Sequence, residues 1–223
     1  MCWYDKIHES TAENDVETLE QISQTVALSM GAAWASGINL YATLLMLGIL
    51  AQTGNIQLPP DLAVVADPLV ITAAGMMYLI EFVADKTPGV DSGWDAIHTF
   101  IRIPAGAVLA AGAVGELAPA AELAAAIAGG TIAAGAHATK MSTRLVINTS
   151  PEPVSNWAAS IGEDVAVIGG LWTALHYPWL FLALLLVFIA LTIWLLPRLW
   201  AALRRVFAWI GRRFSGSPRQ DPG

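Results

Sequence analysis

The eleven Lys and Arg residues of this 223-residue chain leave long stretches without a single cation. None occurs between Lys6 and Lys86, between Arg102 and Lys140, or between Arg144 and Arg198, and those gaps hold most of the apolar sequence. Long neutral apolar runs punctuated by small basic groups are how a chain that crosses a membrane many times reports its topology. Composition agrees: 56% of residues are hydrophobic and 13% charged, about half the charged share of a soluble domain. The net charge of −7 comes with no basic stripe, so nucleic acid is not an expected partner. The single Cys2 rules out internal disulfides and a Cys-based zinc site. Near the N-terminus Asp5, Glu9, Glu13, Asp15, Glu17 and Glu20 face one Lys6. A signal peptide needs a basic region before its apolar core, so the first apolar stretch is read as a retained span.

A helix needs roughly 20 apolar residues to cross the hydrocarbon core. Six stretches meet that need: 26–50, 67–85, 94–115, 120–147, 157–175 and 179–196. The second opens on Asp67-Pro68, an N-cap acid followed by proline at the first helical position. The fold class expected is therefore all-α, a bundle of about six transmembrane helices. Its parts are an acidic N-terminal segment (1–25), a membrane domain (26–197), a basic amphipathic interfacial helix (198–214) and a disordered tail (215–223).

With six spans, Lys86 and Arg102, Lys140 and Arg144, and the cations from Arg198 onward all fall on one side. The opposite loops contain neither Lys nor Arg. The positive-inside rule makes the basic side cytoplasmic, so the expected location is the bacterial inner membrane with both termini cytoplasmic. In 198–214, Trp200, Leu203, Phe207 and Ile210 recur at helical spacing among Arg198, Arg204, Arg205 and Arg212. Such a helix is expected in the headgroup region against anionic lipid.

Shifting the chain against itself by 63 positions aligns two loops. Thr87-Pro88 falls on Ser150-Pro151, Ser92 on Ser155, and Trp94 on Trp157. Each copy reads as a helix end, a proline turn, a capping Ser and a Trp opening the next helix; Ser92 and Asp95 also have capping-box spacing. Under the topology above this is a parallel repeat of spans two–three and four–five. The same shift sets Glu81 on Arg144, an acid and a base that face each other if the copies are symmetric.

Charged groups inside spans are expensive and face the bundle interior or a wet cavity. Glu81 and Asp85 are four apart on one helix face, and His137, Lys140 and Arg144 share another. With Lys86, Arg102, Glu163 and Asp164 the inner half holds four acids and four bases. Such a balance suits a structural network as well as it suits a site. Asp91 and Asp95 are placed on the loop tip. The site residues expected are Glu81 and Asp85, with Arg144 as counter-ion, joined by Arg102, Glu163, Asp164, Lys140 and Asn39; Arg102 is expected to reach Glu163 or Asp164. No metal is assigned and no cofactor is expected.

His98, His137 and His176 lack paired metal-ligand spacing. Asn39 and Tyr41, near Ser36-Gly37, suit hydrogen bonds between helices. Spans three and four, rich in Ala and Gly, are expected at the bundle centre, where small residues let helices approach. Span six, bulky throughout, suits the lipid edge or a homo-oligomer contact. No G-x-S-x-G, P-loop or H-E-x-x-H occurs, so the protein is not expected to be an enzyme.

The run Gly37-Ile-Asn-Leu-Tyr41, the block from Glu81 to Asp91, Arg102-Ile-Pro-Ala-Gly106, and Ser150-Pro with Glu163-Asp164 resemble a bacterial membrane-protein family, domain-of-unknown-function family 4126. The resemblance covers most of 36–170 and implies a compact multi-spanning inner-membrane protein with no assigned activity. Asp85-Lys86-Thr87 is also similar to the Glu-x-Gly-Asp-Lys-Thr/Ser motif duplicated in cation/proton exchangers. Here Glu81 stands one residue too far away, Ala84 replaces the Gly, and 144–150 contains no acid.

The function expected is small-solute or ion transport, in cation/proton form, through an inward-facing polar site. Glu81 and Asp85 would take up the cation or proton and release Arg144. The alternative is a membrane scaffold or lipid-headgroup binder, and an intramembrane enzyme ranks third.

Overall fold

The structure, a computed structural model, describes residues 2–87, 89–115, 118–148 and 153–214. The Ser150-Pro151 turn of the proposed repeat and the 215–223 tail lie outside the described residues. Six helices follow in order: α1 (Cys2–Gln52), α2 (Pro68–Ala84), α3 (Val90–Val114), α4 (Pro119–Ile147), α5 (Pro153–His176) and α6 (Pro178–Phe214). A short 3-10 helix, Pro60–Ala66, precedes α2, and the described residues include no strand.

Five helices are long and apolar enough to cross a membrane, counting α1 from Asn14; a sixth span appears when the 3-10 helix and α2 are joined. At 17 residues, α2 is about 25 Å long, short of a hydrocarbon core of about 30 Å. The preceding 3-10 helix, bent by 63° against it, brings the pair to the length and hydropathy of a span. Asp67 caps α2 as its sequence predicts, its carboxylate accepting from Leu69 N at 2.7 Å with Pro68 at the first helical position.

The first span is where fold and expectation part. Asn39 has extended backbone (φ −146°, ψ 97°) in the middle of α1. A straight helix would set Leu28 and Leu50 about 33 Å apart. Instead Ile56, whose N–H bonds to Leu50 O, lines one cavity together with Thr25 and Leu28. The arm after Asn39 therefore folds back beside the arm before it, as a helical hairpin inside the bundle.

This hairpin changes the exits of the chain. Val16, Leu19 and Glu20 line a cavity with the α5–α6 turn at Tyr177–Leu180. Thr192, two turns before the basic tail, meets Thr139 near the opposite end of the bundle. The N-terminal arm and the C-terminal tail thus leave from opposite ends, and the expectation of both termini on one side does not fit the fold. An odd number of passes, with the returning arm counted, is the reason. The tail itself continues α6 through Pro197 and does not begin a separate helix; the side chains of Leu203, Phe207, Ile210 and Arg212 lie outside the described residues.

Helix α1 touches all five others and forms the centre, with Ala27, Ala32, Ala33 and Ala35 fully buried. Helices α3 and α4, expected at the centre, form the tightest flanking pair. A Cβ on Gly106 would overlap Ala133, one on Gly129 would overlap Ala110, and one on Gly37 would overlap the Ala133 carbonyl. Small residues therefore bring three backbones together, as close membrane packing requires. At the 63-residue offset the boundaries beside the two loops coincide, Ala84 with Ile147 and Val90 with Pro153, but the starts of α2 and α4 do not.

Candidate functional site

The broken end of α1 is the organising feature of the site. Asn39 caps the second arm: its side-chain oxygen accepts from Ala42 N at 2.9 Å, and its carbonyl accepts from Thr43 Oγ1 at 2.8 Å. Asn is among the best residues for this position. Ala42 N bonds to the Asn39 side chain, which leaves the Ile38 carbonyl without that helical donor; Lys140 Nζ donates to it at 3.2 Å. A cation at the carbonyl end of a half-helix complements its dipole. On the other flank Asn39 Nδ2 donates to Asp164 Oδ1 and Tyr78 OH to Asp164 Oδ2, both at 3.2 Å. Irregular backbone at membrane depth is tolerated where buried protein groups satisfy it, and transporters place ion sites at such breaks.

Around this tip the charges interlock. Arg102 forks between Glu81 at 2.6 Å and Asp95 at 2.8 Å, all three fully buried. Lys140 sits among four carboxylates: Asp85 at 2.8 Å, Glu163 at 3.4 Å, and Glu81 and Asp95 at 3.5 Å. Arg144 meets Glu163 at 2.6 Å and the Asp85 carboxylate at 3.5 Å, and also donates to the Asp85 and Asn156 carbonyls. Arg102 Nη1 lies 3.3 Å from His137 Nδ1. His137 Nε2 lies 2.8 Å from Thr99 Oγ1. His98 bridges the Trp94 carbonyl and the Tyr41 hydroxyl.

Every expected site residue reaches this region, but the pairing differs. Glu81 has Arg102 and Lys140 as partners, and Arg144 goes to Glu163 and Asp85. Arg102 is taken by Glu81 and Asp95, not by Glu163 or Asp164. The symmetric pairing of Glu81 with Arg144 is replaced by Arg102 of α3 and by Lys140, one turn before Arg144 on α4.

Asp91 and Asp95 were placed on a loop tip, and both are fully buried. Helix α3 starts at Val90 after Gly89 (φ 85°), three residues earlier than the Ser92 cap implied. Asp91, Asp95, His98 and Arg102 then repeat at helical spacing on its buried face. That spacing was legible in the sequence; the early start, made possible by a left-handed glycine, was not.

With these two residues the cluster is no longer balanced. Among the described residues it holds Glu81, Asp85, Asp91, Asp95, Glu163 and Asp164 against Lys86, Arg102, Lys140 and Arg144, a formal surplus of two acids. Glu81 Oε2, Asp85 Oδ1 and Asp95 Oδ2 are buried without a hydrogen-bond partner. Lys86 stands at the rim over the Phe82 ring and donates to Ser160. Burial pushes its ammonium below the usual lysine range, against the pull of Asp164 and Asp85.

The family described as a domain of unknown function, DUF4126, matches residues 26–198. The chain belongs to that family. All of the cluster lies within the matched stretch of this DUF4126 protein, and so does the break at Asn39. No curated protein and no solved structure matches the chain.

Hydrogen bonds cross the loop end of the DUF4126 site. Asn148 Nδ2 donates to both Asp91 oxygens and to Ser92 Oγ at 2.9 Å, and Asn156 Nδ2 donates to Asn148 Oδ1 at 2.8 Å. These contacts bind the first turn of α3 to Asn148, just past α4, and through it to Asn156 of α5. The cluster is approached from the side, where a cavity of about 250 Å³ between α4 and α5 reaches Lys140 and Glu163.

Proposed function

We propose that this DUF4126 protein transports a cation in exchange with protons across the bacterial inner membrane. The reading rests on one observation: a buried cluster with two acids in surplus and three unpartnered carboxylate oxygens, built around a broken helix. A surplus of buried negative charge is costly unless a proton or a cation neutralises it. Uptake of a cation displaces protons from the surplus acids, and loss of the cation restores them. By the bias of the basic clusters, the end carrying Lys86 and Arg198 is cytoplasmic, and the N-terminal arm starts on the other face.

The test is a flux panel in proteoliposomes covering protons, metal ions and small organic ions, with Glu81→Gln as control. Cation-driven proton movement that Glu81→Gln abolishes is the expected result. Absence of flux for every species would instead favour the second reading, a membrane scaffold. That alternative draws on the complete burial of Glu81, Asp95, Arg102 and Arg144 and on the hydrogen bond from Asn148 to Asp91.

A further inference from the structure

The side cavity at Lys140 and Glu163 does not end there. It shares Ala166 and Phe188 with a second cavity of about 370 Å³ that continues along α5 past Gly169 and Gly170 to Thr173. The two form one trough on the flank of α5, floored by Ile38 and Trp34 of α1 and walled by α6. From Glu163 to Thr173 it runs about 15 Å. Its polar groups are concentrated at one end, with Lys140, Glu163, Thr139 and Thr143. The other end is apolar and aromatic. Trp34 meets Phe181 and Phe188 edge-on, with centroids 6.2 and 5.9 Å away, and Trp34 Nε1 is buried without a hydrogen-bond partner.

The polar end selects the sign of the ligand. Lys140 is 1% exposed and its protons are engaged by Ile38 O and the surrounding carboxylates. Glu163, held on both oxygens by Arg144, has the largest exposed fraction in the ion-paired network, 16%, and its carboxylate offers a docking group only further acceptor capacity. A group docking there must donate or carry positive charge, in a cluster that already has acids in surplus. The aromatic and aliphatic walls beyond it suit the apolar body of such a ligand.

We propose that this trough binds a lipophilic organic cation taken sideways from the bilayer, with its charge at Glu163 and its apolar body along α5 against Trp34, Phe181 and Phe188. The proposal rests on the cation-transport reading and supplies its substrate class.

The experiment is equilibrium binding to the purified full chain in detergent, using tetraphenylphosphonium and its anionic counterpart of the same shape, tetraphenylborate. The cation binds saturably and the anion does not. Glu163→Gln weakens binding at least about tenfold. Gly162→Leu does the same by filling the trough, and it is the safer variant because a Cβ at Gly162 meets nothing within 4 Å. Equal binding of both ions, or cation binding untouched by Gly162→Leu, overturns the proposal. Absence of binding overturns it as well, while proton or metal flux in proteoliposomes still reports separately on the transport reading.

Discussion

Lys140 Nζ lies 3.2 Å from the carbonyl of Ile38, the last carbonyl of the first arm of α1, and 2.8 Å from Asp85 on α2. One ammonium therefore ties the broken end of the central helix to the acid cluster. Any change of charge among those carboxylates is felt at the hinge, because the same three protons serve both.

Asn39 sets that hinge. Asn39→Ala removes the cap on Ala42 and the bond to Asp164, and is expected to lower stability by about 1–2 kcal/mol. Asn39→Ser keeps a capping oxygen and loses only the Asp164 contact, so its melting temperature falls between those of Asn39→Ala and the parent. Thermal unfolding in detergent, followed by tryptophan fluorescence, gives the order; equal melting of all three would show that the cap contributes nothing.

Arg102 holds two fully buried acids. Arg102→Met leaves Glu81 and Asp95 short of their main partner and is expected to destabilise by about 3–5 kcal/mol. Combining it with Glu81→Gln removes one uncompensated charge and recovers part of the loss. Membrane yield and melting temperature of the two single variants and the double variant read the coupling; strictly additive losses would mean that the pair does not interact.

Two glycines separate close packing from open space. Gly129→Ala places a methyl group on Ala110 and is expected to cost about 1–3 kcal/mol. Gly162→Ala meets nothing within 4 Å, and its change stays within about 0.5 kcal/mol or turns favourable through helix propensity. Comparing their melting temperatures checks the packing of α3 against α4.

Sidedness is open to a direct assay. An impermeant maleimide added to intact cells is expected to label Cys2, the sole cysteine, while a reporter fused after Gly223 reads out as cytoplasmic. A protected Cys2 together with a cytoplasmic C-terminal reporter would place both termini on one side and contradict the hairpin topology.

Much of the site was legible in the residues themselves. Glu81, Asp85, Lys140, Arg144 and Glu163 stood out as charges in apolar helices, and the structure brings them within ion-pair distance. Their partners were not legible. An acid on α2 has bases on both α3 and α4 within reach, and which it meets depends on how closely those helices approach. Gly106, Gly129 and Ala133 decide that approach. Asp91 and Asp95 were misplaced because a short turn can release the next helix three residues early when a glycine takes positive φ.

The sequence alone determined the membrane character, the number of long apolar segments, the capped start of α2 and the segregation of basic residues, because each follows from local hydropathy, charge or capping chemistry. Tertiary structure alone decided that the first span turns back at Asn39, that the termini part company, and that the charged cluster is acidic instead of balanced. An asparagine in an apolar run suits a contact between straight helices and a hairpin cap equally well. Only the presence of Asp164, Lys140 and the close-packed α3 and α4 around it stabilises the break.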